Sequence, residues 1–102
     1  MQKFLEDAKH HALKDAPNES CGIVVDDNYY PCHNISDTPA DNFAIHPKDF
    51  LKARSKGVFQ YIIHSHPEGG NASEPDIKAC KAMNLKWYIY LIPQDEWQII
   101  NP

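Results

Sequence analysis

The 102-residue chain predicts an α/β fold of the α+β type, a mixed central β-sheet flanked by helices. Three observations lead there. Apolar runs of strand length, rich in β-branched and aromatic residues, recur at 21–25, 58–64, 87–92 and 97–100. Segments of helical length with charged faces or capping residues lie among them. Turn chemistry separates most neighbours. The expected order is α-β-β-β-α-β-α-β-β, with residues 1–102 forming a single domain around one core.

Each element has a local reason. In 2–15, Phe4, Leu5, Ala8, Ala12 and Leu13 recur at helical spacing with charges between them, and Ala16-Pro17-Asn18 stops the helix. Cys21 to Val25 is a short apolar strand. Asp26-Asp27-Asn28 turns it into a return strand, Tyr29 to Cys32. Asn34 to Asp41 reads as a loop and Asn42 to Ile45 as an extended segment. Pro47 opens a helix that Gly57 stops. Val58 to His64 is almost continuously apolar, the mark of a central strand buried on both faces. Ser73 caps a helix through Asn84, with Pro75 in its first turn and Asp76 at its third position. Two strands close the chain on either side of Pro93-Gln94-Asp95.

Composition narrows the function. Ten basic and fourteen acidic residues give a formal charge of -4 with no dense basic cluster, which argues against nucleic acid as the main partner. No apolar run approaches the ~20 residues of a membrane span. The opening Met1-Gln2-Lys3-Phe4-Leu5-Glu6-Asp7 puts acids where a signal peptide needs apolar residues, so a cytoplasmic location is expected. Three cysteines without a Cys-x-x-Cys pair favour free thiols in a reducing compartment; a Cys21–Cys32 bridge across the first hairpin is the alternative.

The chemistry concentrates in His64-Ser65-His66-Pro67 followed by Ser73 and Asp76. Imidazoles at i and i+2 share one side of a strand. Asp76, in the first turn of the next helix, is placed to close on them as a third ligand. Two histidines, one aspartate and an open fourth position describe a catalytic rather than a structural zinc site. Taken singly, His-x-His is a weak signal, and Ser73 with Asp76 is explained by helix capping alone. Their conjunction after a buried strand is specific. Glu19, between a Pro-Asn turn and the first strand, is the candidate base for activated water, against the plainer reading of an exposed loop acid. Ser73 is a candidate donor to a developing oxyanion. Cys21 reads as a small buried residue, with a cysteine hydrolase as a further alternative. The zinc deaminases are set aside because their His-x-Glu and Pro-Cys-x-x-Cys pattern is missing.

These residues resemble the JAMM family of zinc peptidases, also called MPN+ or JAB domains: an upstream Glu19, then His64-Ser65-His66-Pro67, then Ser73-Glu74-Pro75-Asp76. The likeness extends through His10-His11-Ala12, Pro17-Asn18-Glu19-Ser20-Cys21-Gly22, Asn34-Ile35 and Phe43-Ala44-Ile45-His46-Pro47. The loop between Pro67 and Ser73 is about one residue shorter than the common family form. The resemblance implies the JAMM/MPN, cytidine-deaminase-like fold. It implies Zn2+ held by His64, His66 and Asp76, with Glu19 and Ser73 catalytic, in a metallopeptidase or isopeptidase acting on amide bonds of a protein or peptide. Tyr30-Pro31-Cys32-His33-Asn34-Ile35 and Trp87-Tyr88-Ile89-Tyr90 with Trp97 are similar to the phage tail-assembly branch. That branch implies a tail component as substrate, where other branches process ubiquitin-like tails. It also implies a host-cytoplasm or virion-tail location. Its members usually continue into an NlpC-type peptidase; since the chain stops at Pro102, that activity is expected either in a separate partner or not at all. A non-catalytic tail-assembly or interaction module on the same fold is the rival expectation.

Overall fold

The computed structural model describes residues 2–102. Eight elements follow one another: α1 (Lys3–Asp15), β1 (Cys21–Val25), β2 (Asn28–Cys32), α2 (Pro47–Arg54), β3 (Phe59–His66), α3 (Glu74–Met83), β4 (Lys86–Leu91) and β5 (Glu96–Ile100). The five strands form one sheet in the order β2-β1-β3-β4-β5. β3 pairs parallel with β4 and antiparallel with β1; the remaining pairs are antiparallel. The sheet is mixed because β3 and β4 are joined by a crossover through α3, as a parallel pair requires.

Strand alternation divides the interior into two cores rather than the single one expected. On one face Phe4 and Ala8 of α1 pack on Val24, Tyr29, Ile63 and Tyr88. On the other, Ala53 of α2 and Cys80 of α3 pack on Ile23, Val25, Ile62 and Trp87. β3 feeds both cores, Ile62 to one and Ile63 to the other, which is why its sequence is apolar without alternation.

The first hairpin turns through Asp26 and Asp27 with φ of 48° and 63°. Two consecutive positive values match the right-handed twist of a tight two-residue hairpin. The Asp26 carboxylate then accepts from the Val58 amide at 2.9 Å, tying this turn to the approach of β3.

Two boundaries differ from expectation, with consequences for the site. Residues 42–45 form no strand of the sheet; a single bridge joins Asn34 to Ile45. The Asn34 side chain takes up hydrogen bonds there that a ladder would otherwise make. β3 continues past His64 to His66, opposite Leu91 of β4, before Pro67 ends it. Both histidines therefore sit on paired strand backbone.

Gly22 is required by packing. A Cβ there would lie 2.5 Å from the Tyr29 ring. That ring is buried and its hydroxyl is held at 2.6 Å by His11 Nδ1. Gly22→Ala is expected to destabilise the protein by about 1–3 kcal/mol through overpacking. Thermal unfolding checks this; an unchanged midpoint would mean Tyr29 moves aside freely.

Candidate metal centre

The site lies where the C-terminal end of β3 meets the N-terminus of α3, and each side chain has its own support. His64 and His66, two residues apart on β3, point to the α2–α3 face with ring centroids 5.1 Å apart. Asp76 enters from the first turn of α3. Its amide donates to Ser73 Oγ at 3.2 Å, and its carboxylate Oδ2 accepts from the Ser73 amide at 3.0 Å. This reciprocal capping box holds the carboxylate toward the strand end. Glu19 arrives from the segment before β1. Ser65, pointing to the opposite face, anchors that segment: its Oγ accepts from the Ser20 amide at 2.8 Å, and its amide donates to the Ser20 carbonyl.

His64 is the centre of the arrangement. It is completely buried. Phe43 stacks on its ring at 4.4 Å and Trp87 meets it edge-on at 5.6 Å. A carboxylate approaches each ring nitrogen: Glu19 Oε1 lies 3.4 Å from Nδ1 and Asp76 Oδ1 lies 3.4 Å from Nε2. Both are in ion-pair range, yet neither is aligned as a hydrogen bond, so both nitrogens are buried without a partner. Such a group costs about 1–3 kcal/mol unless something satisfies it. A cation accepting a lone pair from His64 satisfies it.

His66 is better connected. Its Nε2 meets Asp76 Oδ2 at 3.2 Å and its Nδ1 meets the Gly70 carbonyl at 3.0 Å. The Asp76 bond holds the His66 imidazolium above its ordinary range against the opposing effect of burial. For Asp76 burial is the largest influence and works against ionisation. The His66 bond, the His64 charge and the Ser73 groups together outweigh it and pull the carboxyl down to about 2. Both Nε2 atoms thus face one ionised carboxylate. Atoms of Glu19, His64 and His66 also lie within 4.8 Å of one another, a group able to hold a metal ion. Among the described residues Cys21 is not part of that group. Burial raises its thiol to about 12, and its Sγ donates to the Cys32 carbonyl. Cys21 and Cys32 are direct cross-strand partners with free thiols.

Glu19, His66, Ser73 and Asp76 open onto a cavity of about 400 Å³ that is also bounded by Asp41, Phe43 and the Pro67–Gly69 loop. Ser73 is exposed, and with its oxygen accepting from Asp76 its proton remains free to donate. All five site residues expected from sequence thus come together. Ser65, Phe43 and Trp87 also shape the site. Ser65 left a local signal, as the residue between two histidines whose face strand alternation reverses; Phe43 and Trp87 figured only in the family likeness, with no sign that they cover His64.

A family model described as prokaryotic homologs of the JAB domain matches residues 1–100. The chain is 34% identical over 106 residues to the tail tip assembly protein K of Escherichia phage N15. That alignment takes in 99% of this chain and 44% of the phage protein, so the chain spans less than half the length of this relative. The solution structure of protein DSY2949 from Desulfitobacterium hafniense superposes with a TM-score of 0.74 at 27% identity, covering 97% of this chain and 78% of that one. Among the described residues no helix is long and apolar enough to cross a membrane. With the family pattern matched across nearly its full length, the chain belongs to the prokaryotic homologs of the JAB domain.

Proposed function

We propose that residues 1–102 act as one unit, a zinc-dependent metallopeptidase or isopeptidase that hydrolyses an amide bond in a protein substrate. The observation that carries this reading is His64: fully buried, unpaired at both ring nitrogens and flanked by carboxylates. A histidine so placed without a cation is costly; with one it is an ordinary ligand. The donors fit zinc, with His64 and His66 supplying neutral imidazoles and Asp76 an ionised carboxylate. Zinc bound there supplies a Lewis acid and water made acidic enough to ionise near neutral pH.

The chain's own groups do the rest. Glu19, buried and on the cavity wall, accepts the proton of the attacking water and returns it to the leaving amine. Ser73 donates to the carbonyl oxygen as charge develops on it. Gly70 orients His66 through Nδ1, the usual role of an outer acceptor on a ligating ring. Substrate enters along the cavity between the Pro67–Gly69 loop and Asp41. The phage relative, a tail tip assembly protein, favours a tail component as substrate over a ubiquitin-like tail.

A second reading rests on the same relative, which is named as an assembly protein. In it the site is a metal-stabilised interaction module and no bond is cut.

Glu19→Gln separates the readings. The variant is expected to retain bound zinc and to lose about 10²–10⁴-fold in cleavage of a pooled quenched-fluorescent peptide library. Undiminished cleavage removes Glu19 as the base. Because Glu19 also faces His64 Nδ1, a fall in zinc affinity of about 10–100-fold would instead assign it an orienting role.

Thiol chemistry tests the cysteine alternative. At pH 8 a thiol of pKa about 12 is ionised in roughly one molecule in ten thousand, so native Cys21 is expected to resist iodoacetamide. Chelation is expected to abolish activity that alkylation spares. The reverse pattern would overturn the zinc assignment.

The metal-free protein carries a pH signature. The raised His66 value contributes stability that is complete below about pH 6.5 and lost as pH rises through it. The lowered Asp76 value contributes stability that is complete above about pH 4 and lost as pH falls toward about 2. The pair is therefore expected to stabilise the metal-free fold most between about pH 4 and 6.5. His66→Gln should lower the metal-free midpoint more at pH 6 than at pH 8.5. Equal shifts at both pH values would remove the pair from the account.

A further inference from the structure

The carboxylate of Glu19 needs a fixed backbone, yet Glu19 precedes β1 and lies outside the sheet. Its amide donates to the Pro39 carbonyl at 2.7 Å. Its carbonyl accepts from Asn34 Nδ2 at 3.0 Å. The same Nδ2 donates to the Asn42 carbonyl at 3.0 Å and approaches the Pro39 carbonyl at 3.4 Å. On its other side Asn34 Oδ1 accepts from the Ser36 amide at 3.0 Å and the Ala44 amide at 3.1 Å. One side-chain amide, with two donor hydrogens and two acceptor lone pairs, thus uses its full capacity on backbone.

Those partners fall on both flanks of the site. Asn42 and Ala44 bracket Phe43, the ring stacked on His64. Pro39 and Asn34 hold Glu19 at its amide and carbonyl. We propose that Asn34 is the positioning residue of this site, a single amide that sets the Glu19 backbone and the Phe43 cover of His64 in register with each other. The role rests on Glu19 acting as the base. Few other residues meet the requirement. Aspartate keeps the acceptor and loses both donors, serine is too short to span the partners, and glutamine carries its amide one methylene further out. Asn34 touches none of His64, His66 or Asp76, so it acts on the base and the cavity wall, leaving metal capture to the three ligands.

The experiment compares full-length wild type with Asn34→Asp and Asn34→Ala, each loaded with zinc. Zinc stoichiometry is expected to remain at the wild-type value in both. Amide hydrogen exchange at Glu19 should accelerate at least about tenfold while Ile62 and Ile63 of β3 keep their protection. Per folded, zinc-loaded molecule, kcat on the peptide library should fall at least about tenfold with KM within about twofold, as for a group felt mainly in the transition state. A merely structural Asn34 would lower protection everywhere together and leave kcat of the folded fraction unchanged, which overturns the proposal. Wild-type exchange at Glu19 in Asn34→Asp overturns it as well. Should wild type cut no peptide at all, the hydrolase reading fails by itself, and exchange at Glu19 then decides whether Asn34 holds that residue.

Discussion

The structure turns on one buried imidazole. His64 sits on the central strand with no solvent access, an aromatic ring over one face and a carboxylate at 3.4 Å from each nitrogen. Every neighbouring element is placed by what that ring requires. The irregular segment before β1 brings Glu19 to one edge, and α3 brings Asp76 to the other. The irregular segment before α2 supplies Phe43 as a cover, and β4 supplies Trp87 as a wall. A protein that only needed a filled core would put an aliphatic residue at this position and avoid burying two polar nitrogens.

The sheet's topology explains why the site is there. β3 and β4 run parallel, so the chain must cross over between them, and it does so through α3. The crossover begins at the carboxyl end of β3, which sets the N-terminus of α3 beside the last residues of the strand. Open sheets with parallel strands present their crevices at this end. The capping box of α3 then has two uses. It satisfies the helix's first amides, and it aims Asp76 at the two histidines. Asp76, whose place in the capping box already explains it, thereby also faces both histidines.

The carboxylates differ in support. Asp76 is held by a regular helix and by hydrogen bonds exchanged with Ser73. Glu19 has no element of its own and depends on a segment that makes one bridge and no ladder. Side-chain amide bonding substitutes for secondary structure there. The two carboxylates thus reach the same imidazole from one regular and one irregular support.

Much was legible in the sequence because its causes are local. Helical spacing in α1, the paired aspartates of the first hairpin, Pro47 and Ser73 as helix starts, and the unbroken apolar run of β3 each depend on a few adjacent residues. Four of the five candidate site residues were legible for the same reason: His-x-His and Ser-x-x-Asp are short patterns whose geometry is set by one strand and one helix turn, whereas Glu19 stood out only together with them. Residues 42–45 were misread as a strand because nothing nearby reveals that Asn34, eight or more positions away, takes over their backbone hydrogen bonds. The cover over the His64 ring comes from Phe43 and Trp87, distant in the chain, which no pattern around His64 announces. Local sequence pattern was enough to mark the candidate site residues and most of the elements that bear them. Tertiary structure alone decided how deeply His64 is buried, which carboxylate faces which ring nitrogen and what holds Glu19, since burial and cross-segment hydrogen bonds depend on contacts no local pattern encodes.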